Sequence, residues 1–203
     1  MEDSMRNKIT GIIAAAGTAA ILSVTANAAT VDDVKKRGVL RCVVSTGIAG
    51  FAYPDKSGVW KGFDIDFCRA TAAAVLGDSK KIKAVTSTGK TRFTKLNSGE
   101  GDVLWRNTTI TFSRDVGVKL RFHGVNYYDG QGFMVNKKLG VKSAKDLNGA
   151  SVCIQTGTTT ELNLADFFHA NGMKYEAVTI ETNDEARQNY MSGRCDVYTT
   201  DAS

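Results

Sequence analysis

The sequence predicts an α/β protein built on parallel strands, and three observations carry that prediction. Short apolar, β-rich runs alternate with segments whose apolar residues recur at helical spacing. Glycine or Asn-Gly closes several of the helical segments. Two strands run directly into hydroxyl-rich turns, at residues 104–114 and 155–161. The chain has 203 residues, 42% of them hydrophobic, enough for one domain or two small ones. Its net charge of +5 comes from Lys and Arg scattered among acids, with no basic stripe, which argues against nucleic acid as a partner.

Residues 1–28 read as a signal peptide. Arg6 and Lys8 precede an apolar run from Ile9 to Val24, and Ala26-Asn27-Ala28 supplies a cleavage pattern, with cleavage expected after Ala28. The run is short of the roughly 20 residues that span a bilayer and is rich in Ala, Gly and Thr. Initiation at Met5 would remove the acidic Glu2 and Asp3 from in front of the signal. Export makes disulfides the expected state of Cys42, Cys68, Cys153 and Cys195. Three pairings are possible. The positions of the four in successive strand and helix segments favour 42 with 68 and 153 with 195, each closing a loop inside one unit. Zinc is the weaker alternative, since the chain has no C-x-x-C and two His in all.

Residues 39–44 form the first strand, followed by an irregular loop with Gly47, Gly50, Pro54 and Gly58 that carries Phe51 and Tyr53. Phe51 reads either as a wall for a ligand or as a plug at the edge of the core. A helix begins near Gly62, places Phe63, Phe67, Ala70, Ala74 and Val75 on one face and stops at Gly77. Asp64 and Asp66 in its first turn read as capping acids suited to the macrodipole rather than as an acid–base pair. A strand over 81–85, a helix over 92–97 ended by Gly99 and a strand over 102–104 complete this series, which implies a parallel sheet. Residues 127–135 read as an extended crossover to a second series: a short helix at 143–147, strand 151–155, helix 161–171, strand 177–181, helix 184–191 and a strand ending on Asp201.

Two turns hold the candidate chemistry. After residue 104 an apolar run breaks into hydroxyls and ends on Arg114, so that free backbone N–H groups, Thr109, Thr111 and a bidentate guanidinium could hold a carboxylate; a solvated turn is the other reading. In Thr156-Gly157-Thr158-Thr159-Thr160-Glu161, Thr158 and Glu161 fit a capping box, and a glycine followed by three hydroxyls at a helix start favours an anion site over a plain cap. Asp201, at a strand's C-terminal end, would supply the anion that a zwitterion needs on its other side.

From about residue 31 onward the chain resembles the periplasmic binding proteins of ABC amino-acid importers, most nearly their general L-amino-acid-binding subgroup. The resemblance rests on five segments in order: Gly62-Phe63-Asp64-Ile65-Asp66, residues 106–115, Tyr127-Tyr128-Asp129-Gly130-Gln131-Gly132-Phe133, residues 155–161 and residues 193–201. It implies a two-lobed periplasmic binding protein fold of type II, with residues 29–128 as the N-terminal part of lobe 1 and 129–203 as hinge and lobe 2. It also implies that Arg114 and Thr109 take the α-carboxylate of an L-amino acid, that Thr158 and Thr159 donate to it from the other lobe, and that Asp201, beside the backbone carbonyl of Asn107, takes the α-ammonium. A periplasmic location, a monomer, permease subunits of an ABC transporter as partners and no cofactor or metal follow from the same likeness. Gly101 and Trp105 depart from the usual apolar and small residues, so packing just before the site is expected to differ. Family members continue beyond the position of Ser203, which implies an incomplete fold, poor stability and weak binding for this chain alone. An exported dehydratase-like enzyme on the same scaffold is the alternative; His123 and His169 lie beside no evident nucleophile, leaving a carboxylate base such as Glu161 to carry such a role.

Overall fold

The computed structural model describes residues 31–118 and 120–203; the expected signal peptide, residues 1–28, lies outside them. A short helix that the sequence patterns did not suggest, α1 (Val31–Arg37), leads into β1 (Leu40–Ser45). β1 is the middle strand of a three-stranded sheet, flanked in parallel by β4 (Ile82–Ser87) and β5 (Val103–Leu104) in the order β4-β1-β5. A central parallel strand is covered on both faces, and five of the six β1 residues are buried, so the apolar run of its sequence has a direct cause. Asp102 pins the start of β5, accepting from the Arg41 backbone N–H at 2.8 Å and pairing with the guanidiniums of Arg41 and Arg37.

The loop after β1 is not wholly irregular. β2 (Tyr53–Pro54) and β3 (Trp60–Lys61) pair antiparallel within it. Asp55 shapes their turn by accepting from the backbone N–H groups of Ser57 at 2.9 Å and Val59 at 3.0 Å. α2 (Phe63–Leu76) ends at Gly77 in the left-handed conformation, as expected, but it buries a different face from the predicted one. Asp64, Ile65, Cys68 and Ala72 point inward, whereas Ala70 and Ala74 are exposed. Cys68 sets that rotation by bonding to Cys42 of β1, their Cα atoms 6.2 Å apart. Asp64 therefore makes no cap; it lies buried in the lobe. α3 (Arg92–Asn97) follows β4.

Gly101, just before β5, must be glycine: a Cβ there would stand 2.2 Å from Val43 Cγ2. Trp105 stacks on Phe67 with ring centres 4.9 Å apart. The two departures thus accommodate each other's side of the strand, one by removing bulk and one by filling space over α2.

A single π-turn (Ser113–Gly117) follows, and the described residues of 118–130 carry no regular element. The second sheet then forms in the order β6-β9-β7-β8, from β6 (Gln131–Val135), β7 (Ser151–Gln155), β8 (Glu176–Ile180) and β9 (Val197–Asp201). β7 pairs in parallel with β8 and β9, and β6 runs antiparallel to β9 with Gln131 opposite Asp201. α4 (Thr159–Ala170) and α5 (Asn183–Met191) are the crossover helices. Cys153 of β7 bonds to Cys195, which precedes β9, with Cα atoms 5.7 Å apart. Both expected cysteine pairs are therefore present, one in each lobe, and the architecture is the expected two-lobed α/β fold.

Candidate functional site

The site lies where the turns after β4 and β5 meet the start of α4 and the end of β9. Burying three guanidiniums on one side of this junction is its main electrostatic feature. Arg92 opens α3 and is 2% exposed; its Nη1 donates to the Asn107 carbonyl at 3.2 Å and its Nη2 to the Gly157 carbonyl at 3.1 Å. Arg106 is buried against the ends of β4, donating to the carbonyls of Ser87 and Thr88, each at 2.9 Å, and to Asn107 Oδ1. Arg114 donates to the Thr109 carbonyl at 2.8 Å and lies over the Phe93 ring, 5.2 Å from its centre. Arg92 covers the same ring at 4.7 Å.

Burial pushes the Arg92 guanidinium well below its usual pKa, and the like charges of Arg106 and Arg114 push the same way; Asp201 opposes them. Burial also lowers Arg106, to about 10, against the pull of Asp64 and Asp201. Asp64 is in turn raised to about 6 by its burial, with Arg106 opposing, and its Oδ2 has no hydrogen-bond partner.

The second lobe contributes hydroxyls and an acid on regular elements. Thr158 is the N-cap of α4, its Oγ1 accepting from the Glu161 N–H at 3.1 Å. The Glu161 carboxylate accepts from the Gly157 N–H at 2.9 Å, one residue before the position a full capping box uses. Thr158 also donates to the Gln155 carbonyl at 2.7 Å, so this hydroxyl is committed locally, while Thr159 points across the junction. Gly157 makes the approach possible. It has φ +72°, and a Cβ there would stand 2.9 Å from Lys90 Cα in the first lobe.

Among the described residues, three hydrogen bonds cross between the lobes. Asn107 Nδ2 donates to Asp201 Oδ2 at 2.8 Å, the Thr109 and Thr159 hydroxyls lie 3.1 Å apart, and Arg92 reaches Gly157. Of the residues singled out from the sequence, Asn107, Thr109, Thr158, Thr159 and Asp201 line one small cavity of about 10 Å³, enough for a single water. Arg114 is not part of its lining; Arg92 is. Asn107 uses its side chain toward Asp201, and its carbonyl is taken by Arg92. A wider cleft of about 690 Å³ shares Asn107, Thr109, Thr159 and Asp201 with the small cavity and has Phe51, Phe63 and Tyr127 on its aromatic side. Phe51 packs edge-on against both of those rings, so it is at once core and wall.

Arg92 and Arg106 were missed from the sequence. A signal was present for the first: Lys90 and Arg92 put two cations at a helix N-terminus, where the dipole disfavours them. Arg106 sits inside the stretch expected from the sequence to hold a carboxylate, but only the tertiary structure turns it away from solvent and onto β4.

The junction joins two loops that follow parallel strands and one helix start, the usual ligand position of open α/β sheets. Comparison with known proteins gives that geometry a family. The model of bacterial extracellular solute-binding proteins, family 3, matches residues 40–150, and one described as NMT1/THI5 like matches residues 120–202. A glutamate/glutamine/aspartate/asparagine-binding protein of Rhodobacter capsulatus is 60% identical over 91% of this chain and 55% of its own length. A general L-amino acid-binding periplasmic protein of Rhizobium johnstonii is 53% identical over 98% of this chain and 58% of its own. Among solved structures, a periplasmic binding protein of an ABC transporter from Brucella ovis, with glutathione bound, superposes with a TM-score of 0.80 at 57% identity, covering 84% of this chain and 54% of that one. The chain thus spans about half the length of the curated relatives it matches. With the family model matched over more than half of its residues, and the two-lobed fold and cleft described above, the chain belongs to the bacterial extracellular solute-binding proteins, family 3.

Proposed function

We propose that the protein is the periplasmic substrate-binding component of an ABC importer and captures free L-amino acids by their main-chain charges. In this reading Arg114 and Thr109 from the first lobe, with Thr159 and the backbone of Thr158 from the second, hold the α-carboxylate, the Thr158 hydroxyl staying bonded to the Gln155 carbonyl. Asp201, positioned by Asn107, holds the α-ammonium. The observation that carries it is the facing of Thr109 and Thr159 at 3.1 Å beside the Asn107–Asp201 bond at 2.8 Å: donors and an acid from both lobes converge on one point. The small cavity cannot take an amino acid, so capture requires these cross-lobe contacts to part and a ligand to replace them. Closure is then a population shift toward the state in which both lobes touch the ligand.

Residues 29–128 would form the lobe 1 portion and 129–203 the hinge and lobe 2. The antiparallel β6–β9 ladder supports a hinge there, because the Ala202 N–H donates to the Gly130 carbonyl at 2.8 Å and ties the end of β9 to the segment that enters the second lobe. Delivery would be to the permease subunits of the transporter, by a monomer exported through its signal peptide. The relatives above are described as binding proteins, which favours capture without chemistry over a dehydratase-like activity.

A thermal-shift screen against the standard L-amino acids tests this. Ligand at about 100 times its Kd adds about 2.7 kcal/mol, a rise of several degrees in Tm for a protein of this size. Arg114→Ala should abolish the rise. A cooperative transition that no amino acid moves would refute the reading.

A further inference from the structure

We infer that Arg106 is a positioning residue for amino-acid capture: it fixes the Asn107 side-chain amide with its nitrogen toward Asp201, and so aims the Asp201 carboxylate at the α-ammonium of the ligand. The inference rests on the amino-acid-capture reading above and adds to it a residue that acts without touching the ligand.

The bonding of Arg106 supplies the first argument. Arg106 is 8% exposed, and its Nη1 is spent on the end of β4, at the Ser87 and Thr88 carbonyls and, at 3.1 Å, the Ser87 hydroxyl. Its Nε and Nη2 converge on a single atom, Asn107 Oδ1, at 3.3 and 3.2 Å. A guanidinium has donors and no acceptor, so the amide atom that faces it must be the oxygen. The nitrogen is thereby turned the other way, where Nδ2 donates to Asp201 Oδ2 at 2.8 Å. The opposite orientation of the amide would set Oδ1 against the carboxylate and Nδ2 against a cation. One guanidinium thus decides which pole of the amide Asp201 meets. Location supplies the second argument. Among the described residues, every side-chain hydrogen bond of Arg106 stays within the first lobe, whereas the Asn107–Asp201 bond crosses to the second. Parting the lobes therefore breaks the crossing bond and leaves the amide held. The Asn107 carbonyl is held as well, by Arg92 at 3.2 Å. A donor fixed before closure loses little freedom when Asp201 returns to it. A carboxylate has about four lone-pair sites, so Asp201 can accept the amide and an ammonium together.

Calorimetric titration with L-glutamate and with glutarate, which lacks the α-ammonium, tests the assignment on the wild type, Arg106→Gln, Asn107→Ala and the double variant. The ratio of the two affinities reads the grip on the ammonium, whereas loss of a strut that merely holds the lobe together would weaken both ligands alike. The wild type should prefer glutamate by at least about tenfold, and either single variant should bring the two within about threefold of each other. In the Asn107→Ala background, Arg106→Gln should change the ratio by less than about twofold, because the amide through which it acts is gone. A ratio that survives in Asn107→Ala overturns the inference without any Arg106 variant, and so decides it even if Arg106→Gln fails to fold. A folded Arg106→Gln that weakens both ligands equally overturns it too and leaves Arg106 a strut at the end of β4. A wild type that binds neither ligand, or binds the two equally, would instead refute the capture reading and this inference with it.

Discussion

The two lobes reach the same junction by different means. The first supplies cations from backbone that is barely regular: Arg106 and Asn107 follow a strand of two residues, and Arg114 sits in a single π-turn. The second supplies hydroxyls and an acid from a helix start and a strand end, α4 and β9. Helix and strand termini present backbone dipoles and side chains in fixed directions. Irregular backbone must be held by side chains, and the first lobe does this with its own arginines, which bond to the carbonyls of Ser87, Thr88, Asn107 and Thr109 before any ligand is considered. The lesson is that positional precision on one side is built into secondary structure, and on the other into a buried hydrogen-bond network.

The largest expected effect that sharpens this comparison concerns the cross-links. Each lobe has one disulfide from its central strand, closing loops of 26 and 42 residues. Chain entropy assigns each about 3–4 kcal/mol. Paired Cys→Ala replacement should lower the denaturant midpoint in both cases. Only the Cys42/Cys68 variant should also loosen Asp64, because the Cys42–Cys68 bond sets the rotation of α2. Hydrogen exchange at α2 would show the difference, and equal loosening of both lobes in both variants would contradict it.

Next comes Asp64 itself. Its carboxyl is raised to about 6 in the folded protein against 3.8 unfolded, so the folded state holds a proton that the unfolded state releases. Stability is therefore present at low pH and lost as pH rises from about 4 to about 6, up to about 3 kcal/mol in all. Asp64→Asn should gain that amount at pH 8 and nothing at pH 4, read from denaturation at each pH. A gain that does not depend on pH would mean that packing, not charge, is the cause.

What could be read from the sequence follows the same division. Helix caps, strand ends and glycine stops are local, and β7 and α3 occur over the predicted residues, with Thr158 as the α4 cap. The acid at Asp201 was visible because a strand ends on it. The first lobe was harder. The buried face of α2 depends on a disulfide partner 26 residues away, and periodicity alone chose Ala70 and Ala74, which are exposed. Arg106 looked like an ordinary surface cation because nothing local says that it is covered, and for Arg92 the one local sign was its unfavourable place at a helix N-terminus. Their burial is made by contacts at separations of 15 to 65 residues.

The smallest effect lies between the lobes. The Thr109 and Thr159 hydroxyls make one neutral hydrogen bond across the junction, for which about 0.5–1.5 kcal/mol is expected. A double-mutant cycle of Thr109→Val and Thr159→Val, scored on ligand affinity, should give a coupling of that order. Additivity would mean that the two hydroxyls act independently.

The central claim is that a zwitterion is held between an acid of one lobe and cations of the other. Its most direct test is calorimetric titration with L-glutamate and with glutarate, which lacks the α-ammonium, on the wild type and on Asp201→Asn. The account predicts that the wild type prefers glutamate by at least about tenfold and that the variant loses the preference. Equal binding of glutarate and glutamate by the wild type, or a preference that survives in Asp201→Asn, would contradict it.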